Sequence, residues 1–509
     1  MSILGLVTSQ TVKGDNMSWI TLKIYNYLNK SPDSVKKIVG FCVDKLPLRI
    51  THGKTFVEYR DFIRESEYWD REKLQNYQCE KLKELLRYAY NNVIFYKELM
   101  DNHSINPERM DPIECLERMP FITKDIIREN FDNLISKSMD KKDMKYITTG
   151  GSTAKPFGFY INYDASIKEW AFMTNQWGRV GYRHNDPRAV LRGYITDENK
   201  NEGLYSYNPL RNELFISSFH MNDKNMEFYI ELIESFKPNF INCFPSSIYV
   251  FAKYLKRKNK RIKHRIKAIL ASSEIVIDQQ RKLVEEVFNC RYFSYYGLSE
   301  KVLAGAECEY SRHYHMFPQY GYMELIDADG NVIREEGIPG EIVGTGFLNT
   351  AMPFIRYKTG DIGVYSKEKC KCGRNYPLLK KIEGRIQEYI VGKEHNLVSS
   401  SCLNTHSELY DNVESYQYYQ DRPGKVVLKI VRRENYTEED TRRIIHEHEI
   451  MLKGQVELSI EFVDEIHLTK RGKYKIIEQK MNIYDFMKNG ACNHEHEVCD
   501  EQALHNVFS

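Results

Sequence analysis

Apolar positions change their spacing along the chain, and the changes divide it. From Leu82, residues Leu85, Leu86, Ala89, Tyr90 and Val93 recur at three- and four-residue intervals, the stripe of an amphipathic helix. Helices and short loops are expected to alternate from there to about residue 140. In "MPFITKDIIREN", Thr123 is placed to cap a helix beginning near Asp125 and Ile126. Between 140 and 320, short β-prone runs ("FGFYINY", "FINCF", "KAILASS", "RYFSYYG") alternate with helical ones ("KNMEFYIELIESF", "SIYVFAKYLKRK", "DQQRKLVEEVF"). That alternation predicts a largely parallel sheet with helical crossovers.

After residue 320 the period becomes that of antiparallel strands. "GYMELIDADGNVI" reads as a hairpin whose Asp329-Gly330 turn supplies positive φ, and "GEIVGTGF" and "FIRYKTGDIGVY" continue it. A further shift follows Gly384-Arg385. There "KVVLKIV", a helix opening at Thr437 with Asp440 in capping-box position, and the alternating "VELSIEFV" predict a small α+β domain. The expected fold class is thus α/β. A large domain over 1–385 combines α/β subdomains with a β-barrel-like one, a small α+β lid covers 386–484, and a polar tail occupies 485–509. Residues 1–70 carry no clear pattern.

Composition narrows the function classes. The 509 residues are 42% hydrophobic and 28% charged, with a net charge of +2. This is the make-up of a globular protein with a substantial core, and it provides no basic stripe for nucleic acid. "MSILGLVTSQTVKGDN" lacks the charged leader of a signal peptide, and no apolar run reaches the ~18 residues of a membrane span. Eleven scattered cysteines point to a reducing cytoplasm.

The chemistry concentrates in a few short stretches. "YITTGGSTAKPFGFY" gathers Thr148, Thr149, Gly150, Gly151, Ser152, Thr153 and Lys155 between β-prone flanks. Accessible amides, hydroxyl donors and an ammonium suit a polyphosphate, although the spacing is not that of a Walker loop. "YYGLSE" (295–300), "YKTGD" (357–361), "EGRIQEY" (383–389) and "KRGKYK" (470–475) each read, taken alone, as turns.

Taken together, the order and spacing of these five stretches resemble the adenylate-forming superfamily of acyl-CoA synthetases, luciferases and peptide-synthetase adenylation domains. The resemblance is strongest to its phenylacetate–CoA ligase branch, which includes the CapK-like proteins of polysaccharide gene clusters. "LKELLRYAYNNVIFYKELM", "MPFITKDIIRENF", "NFINCFPSSIYVFAKYL" and "AMPFIRYKTGDIG" extend it over about 75 to 480. The resemblance implies ATP-dependent activation of a carboxylic acid as acyl-AMP, then transfer to coenzyme A or to an amine or hydroxyl acceptor. It implies that Thr148–Lys155 hold the β- and γ-phosphates, that Ser272, Ser273 and Glu274 line the adenine pocket, and that Tyr295, Tyr296 and Gly297 continue its wall. Glu300 would bind Mg²⁺, Asp361 the ribose hydroxyls, and Arg385 would lie near the ribose and α-phosphate. Lys473 would meet the substrate carboxylate and the α-phosphate. The acid pocket is expected between "FPSSIY" (244–249) and the "YYGLSE" strand. Ala154 stands where many relatives carry glycine. Gln387-Glu388 replaces the aspartates that often follow Gly-Arg-x, which bears on the hinge and the thioester step. A non-catalytic zinc-containing scaffold of this fold remains an alternative, and a homodimer is left open.

Cys370-x-Cys372-Gly resembles half of a zinc knuckle, and Cys308 and His315 supply another half, as in relatives of this branch. A Cys₃His set would be four-coordinate and structural. His313 competes with His315 as the ligand. Cys492, His494, His496 and Cys499 are ligand-type residues in the tail.

Overall fold

The computed structural model describes residues 38, 46–149, 157–192, 204–209, 211–221, 223–385, 389–395, 397–399, 407–410, 412–452, 454–468, 474–483 and 486. The chain divides into two compact units. The first runs through Asp327 and adds Val332–Gly384 and His467–Tyr474; the second takes Ala328–Asn331, Arg385–Ile466 and the chain from Lys475 on.

The first unit begins with helices α1 (Leu48–Thr51), α2 (Gly53–Ser66), α3 (Arg71–Asn92), α4 (Ile94–Asn102), α5 (Pro112–Arg118) and α6 (Lys124–Glu129). In α3 the buried face is Leu74, Leu82, Leu85, Leu86 and Ala89, on the expected stripe. The Asp70 side chain caps its first turn, and Thr123 caps α6 by accepting from the Ile126 amide at 3.3 Å. Strands β1 (Met144–Thr149) and β2 (Phe157–Asn162) pair antiparallel, Thr149 opposite Phe157. "FGFYINY" therefore does not join the parallel sheet. Only residues 150–156 separate it from β1, too few for a crossover, and it forms a separate two-stranded hairpin.

The elements α7 (Tyr163–Gly178), β3 (Arg188–Arg192), β4 (Tyr205–Asn208), β5 (Glu213–Ser217), α8 (Asp223–Phe236), β6 (Phe240–Cys243), α9 (Pro245–Arg257), β7 (Ala268–Ser272), α10 (Asp278–Phe288) and β8 (Arg291–Gly297) build the α/β part. Strands β3, β5, β6, β7 and β8 are parallel and almost wholly buried. Strands β9 (Ala304–Ala306), β10 (Tyr314–Met316), β11 (Gly321–Ile326), β12 (Pro339–Gly346), β13 (Tyr357–Ser366) and β14 (Leu378–Arg385) follow. They extend the same sheet, whose order among the described residues is β11-β12-β13-β14-β10-β9-β8-β7-β6-β3-β5-β4. The β-rich part is thus continuous with the parallel part through the β8–β9 pairing rather than a separate closed barrel. The Asp329-Gly330 turn is present, with Gly330 at φ 88° and Ile326 bridged to Val332.

The sheet order carries functional information. From β3 the chain goes to β5 on one side, then returns to β6 on the other. The carboxyl ends of β3 and β6 therefore lead in opposite directions. In open α/β sheets such a switch point leaves a crevice where ligands bind.

The second unit contains β15 (Tyr389–Val391), β16 (Leu397–Ser399), β17 (Val413–Arg422), β18 (Lys425–Arg432), α11 (Glu438–Leu452), β19 (Glu457–Phe462) and β20 (Ile477–Gln479). Its four-stranded sheet has the order β19-β18-β17-β20, with β19 on an edge and Glu457 and Glu461 exposed. The capping box expected at α11 is formed. The Asp440 carboxylate accepts from the Thr437 amide at 2.8 Å, and the Thr437 hydroxyl accepts from the Asp440 amide at 3.4 Å. Leu428, Ile430, Ile444 and Ile477 fill the core between helix and sheet.

Candidate functional site

Three groups named from the sequence come together at the carboxyl edge of the parallel strands. Strand β7 ends at Ser272, and Ser273 takes a left-handed backbone at φ 73°, unusual for a residue with a Cβ and typical of sites held by their surroundings. Glu274 turns its carboxylate toward two amides, Ser246 at 2.9 Å and Tyr474 at 3.3 Å. Ser246 lies in the first turn of α9, where acceptors satisfy orphan N–H groups. Strand β8 ends at Tyr295, Tyr296 and Gly297, with Glu300 just beyond and 6% exposed.

Strand β13 supplies Asp361 through a bulge rather than a turn. Glu341 pairs with Ile362 and Val343 with Lys358, so Ile342 alone faces Thr359–Asp361. Gly360 makes this feasible at φ 77°. Thr359 locks the bulge, its hydroxyl donating to the Ile342 carbonyl at 2.7 Å and accepting from the Asp361 amide at 3.1 Å. The Tyr296 hydroxyl donates to Asp361 at 2.7 Å. Burial, with the Asp361 carboxylate beside it, holds the Tyr296 phenol well above its ordinary value of 10, so it remains a donor.

Contacts also link this edge to the β1–β2 hairpin. Phe157, opposite Thr149, meets Phe354 at a ring separation of 6.3 Å. Phe354 stacks on Tyr357 at 5.4 Å, and the Tyr357 hydroxyl donates to Glu300 Oε1 at 2.9 Å. Thr149, Glu300 and Asp361 thus belong to one contiguous assembly. Thr148 is half-buried on β1, and Arg385 is the last residue of β14. Gly150, Gly151, Ser152, Thr153, Ala154, Lys155, Gln387, Glu388, Lys473, Cys492, His494, His496 and Cys499 lie outside the described residues.

Sequence reasoning missed Arg192. It closes β3 and reaches across the carboxyl end of β6, 2.5 Å from the Ser272 hydroxyl and 3.3 Å from that of Tyr295, with its guanidinium 5.0 Å from the Phe244 ring. Its one signal in the sequence is an arginine that closes the short apolar run "AVL" within "RAVLR".

The cysteine and histidine set assembles on the same unit. The β9–β10 hairpin holds Cys308 and His315, and β14 pairs His315 with Leu378, bringing up the 370–372 loop. The ligand atoms of Cys308, His315, Cys370 and Cys372 all lie within 4.8 Å of one another. Cys308 Sγ is 3.4 Å from Cys370 Sγ, and Cys372 Sγ is 3.2 Å from His315 Nε2. Bonds of ~2.0–2.3 Å to a central zinc imply tetrahedral edges of roughly this size. The amides of Tyr310 and Ser311 point at Cys308 Sγ from 3.3 and 3.2 Å. His315 Nδ1 sits 3.1 Å from the His313 carbonyl, which orients the ring and leaves Nε2 free as a ligand. Burial lowers His315 to about 4, so the imidazole is neutral. Between the two candidate histidines the geometry selects His315; His313 instead turns toward Glu368, at 3.7 Å.

Comparison with known proteins places this geometry in context. A family model described as the CapK C-terminal domain matches residues 390–480. Protein CapK of Staphylococcus aureus is 25% identical over 455 residues, covering 88% of this chain and 98% of its own. The phenylacetate-coenzyme A ligase of Thermus thermophilus is 25% identical over 381 residues, covering 71% and 81%. Among solved structures, 2-hydroxyisobutyryl-CoA ligase in the postadenylation state with R3-HIB-AMP superposes with a TM-score of 0.64 at 16% identity, over 84% of this chain and 93% of that one. At that identity the likeness is one of fold. No helix among the described residues is long and apolar enough to cross a membrane.

Proposed function

The chain belongs to the adenylate-forming superfamily, in the branch of CapK and the phenylacetate–CoA ligases, and on that premise we propose that it activates a carboxylic acid with ATP and passes the acyl group to coenzyme A. The observation that carries this reading is the assembly at the carboxyl edge of the parallel strands, where Glu300, Asp361, Tyr296 and the end of β1 belong to one network. Adenylation needs no protein nucleophile. It needs two anions brought together in a fixed geometry, which is positioning and electrostatic work.

The residues present suit those tasks. A carboxylate accepts hydrogen bonds from ribose hydroxyls, and that of Asp361 is aimed by the Thr359–Gly360 bulge. Glu300 is buried, with one oxygen occupied by Tyr357 and no partner for the other among the described residues. That oxygen fits a divalent cation, since Mg²⁺ takes one or two carboxylates and shares the rest of its shell with phosphates. Mg²⁺ would supply charge neutralisation for the phosphate oxygens. Ser272, Ser273 and Glu274 form the turn assigned to the adenine side, and Lys473, two residues before the small unit resumes at Lys475, is assigned to the reacting carboxylate and α-phosphate. Cys308, His315, Cys370 and Cys372 would hold a structural Zn²⁺ that clamps the β9–β10 hairpin to the β13–β14 connection.

An exchange screen tests the reading. The protein should catalyse ATP–pyrophosphate exchange that depends on an added acid, and release acyl-CoA when coenzyme A is present. Hydroxamate capture from the acyl-AMP without any coenzyme A product would redirect the second half-reaction to an amine or hydroxyl acceptor. Asp361→Ala should raise the KM for ATP by roughly tenfold to a hundredfold, the loss of hydrogen bonds to a charged acceptor. Its KM for the acid should barely move; an unchanged ATP KM would remove Asp361 from the nucleotide site.

A further inference from the structure

Six arginines are buried among the described residues: Arg179, Arg188, Arg192, Arg281, Arg356 and Arg374. Five have a carboxylate partner. Arg179 and Arg374 share Glu67 at 3.1 and 2.6 Å, Arg356 meets Glu324 at 2.7 Å, Arg188 pairs with Glu213 and Arg281 with Glu307. Arg192 has none. It is 7% exposed, and its side-chain partners are the hydroxyls of Ser272, Ser273 and Tyr295. Its Nε has no hydrogen-bond partner among the described residues, as is also true of Arg179, Arg188 and Arg281.

A guanidinium cannot shed its proton to escape this situation. Burying an unpaired charge is costly, and such charges are normally matched by a carboxylate or a ligand. Arg192 is held at the switch-point crevice, over Phe244 at the start of the expected acid pocket and against the wall formed by Tyr295. The hydroxyls fix the fork without neutralising it, which leaves its charge available to an incoming anion. Nη1 keeps an N–H that these hydroxyls do not engage, and a charge-assisted bond from it to a carboxylate belongs to the stronger class of hydrogen bonds.

We propose that Arg192 is a specificity residue of the acid pocket, and that the acid activated here carries a second carboxylate which Arg192 binds while the first reacts. This inference rests on the adenylation reading and adds the substrate class to it. A monoanionic aliphatic acid would leave the Arg192 charge buried and unpaired.

The test uses the full chain and its Arg192→Gln and Arg192→Lys variants. Succinate, glutarate and adipate are each compared with the monocarboxylate of equal chain length, in ATP–pyrophosphate exchange and in calorimetric binding without nucleotide. At least one dicarboxylate should exceed its partner in kcat/KM by more than about thirtyfold in the parent, as for a buried charge pair. Arg192→Gln should erase that preference, lowering kcat/KM for the dicarboxylate by more than about thirtyfold and for its monocarboxylate partner by far less, and unfold at no lower temperature than the parent, because it removes an uncompensated charge. Arg192→Lys should retain part of the preference. A raised ATP KM in Arg192→Gln would assign the guanidinium to nucleotide phosphate. An equal fall for every acid with a lower melting temperature would make it structural, and a parent that prefers monocarboxylates would end the proposal outright. If no acid supports exchange, yet a dicarboxylate binds the parent and not Arg192→Gln, adenylation fails and the dicarboxylate pocket stands. Absence of both overturns it.

Discussion

Lys473→Ala should lose acid-dependent ATP–pyrophosphate exchange by about a hundredfold to a thousandfold or more, while ATP affinity measured by calorimetry stays within about threefold of the parent. The magnitude is that of removing one electrostatic contact made where charge develops in the transition state. The asymmetry follows from the division of labour. ATP is expected to be held by the Thr148–Lys155 loop, the Ser272–Glu274 turn and Asp361, none of which the substitution touches. Lys473 would act only when the substrate carboxylate approaches the α-phosphorus. The next residue in the chain is Tyr474, whose amide donates to Glu274 at 3.3 Å, on the turn assigned to the nucleotide. Equal exchange rates in variant and parent would remove Lys473 from the chemistry. A parallel collapse of ATP binding would make it a ground-state ligand.

Cys372→Ser should release the metal and lower the thermal midpoint by roughly ten degrees, the shift that several kcal/mol brings in a large domain. Metal content is read directly by elemental analysis, with about one equivalent of zinc expected in the parent and little in the variant. The cause is geometric. Cys308 and His315 on one hairpin are joined to Cys370 and Cys372 on the β13–β14 connection, and no disulfide is formed among these cysteines. Without an ion, three thiols and a buried imidazole are left crowded together with only weak mutual hydrogen bonds. The nearby Glu67–Arg374–Glu309 ion pairs, with Asn375 donating to the Trp69 carbonyl and Gln319 donating to Tyr376, would then tie this connection to the rest of the unit. A parent that contains no zinc and keeps its midpoint in strong chelator would show that the cluster holds itself together as free thiols.

How far the sequence led depended on where each segment's charges go. Strands β6, β7 and β8 were legible because they are short apolar runs between strongly periodic helices, and α3, α8, α9 and α10 because each buries one continuous face. Strands β3 and β5 were not. "RAVLR" and "ELFIS" carry charges at their ends and look like loop, yet Arg188 sits opposite Glu213 in the parallel register and the two neutralise one another inside the sheet. "FGFYINY" looked like its parallel neighbours because both of its faces are covered, and only the short connection to β1 distinguishes it. "YKTGD" resembled a turn because glycine and aspartate serve a bulge as well as a turn.

The candidate site divides in the same way. Cys308, His315, Cys370 and Cys372 could be grouped by residue type, and strand pairing then brings them within reach of one another. Arg192 could not, because its partners Ser272 and Tyr295 lie 80 and 103 residues further along the chain. A charged residue ending a buried strand looks identical in sequence whether it faces water, a glutamate or a crevice.

The small unit's outer strand has a consequence for behaviour at high concentration. An uncovered row of peptide groups invites another copy to add on, the usual start of runaway assembly. Strand β19 discourages its own twin. If two copies met antiparallel about Ser459, Glu457 of each would stand opposite Glu461 of the other on the same face, and like charges in that position repel. The exposed Lys425, 3.4 Å from Glu457, offsets little of this in water. Two acidic side chains spaced four apart thus set a charge barrier against that pairing.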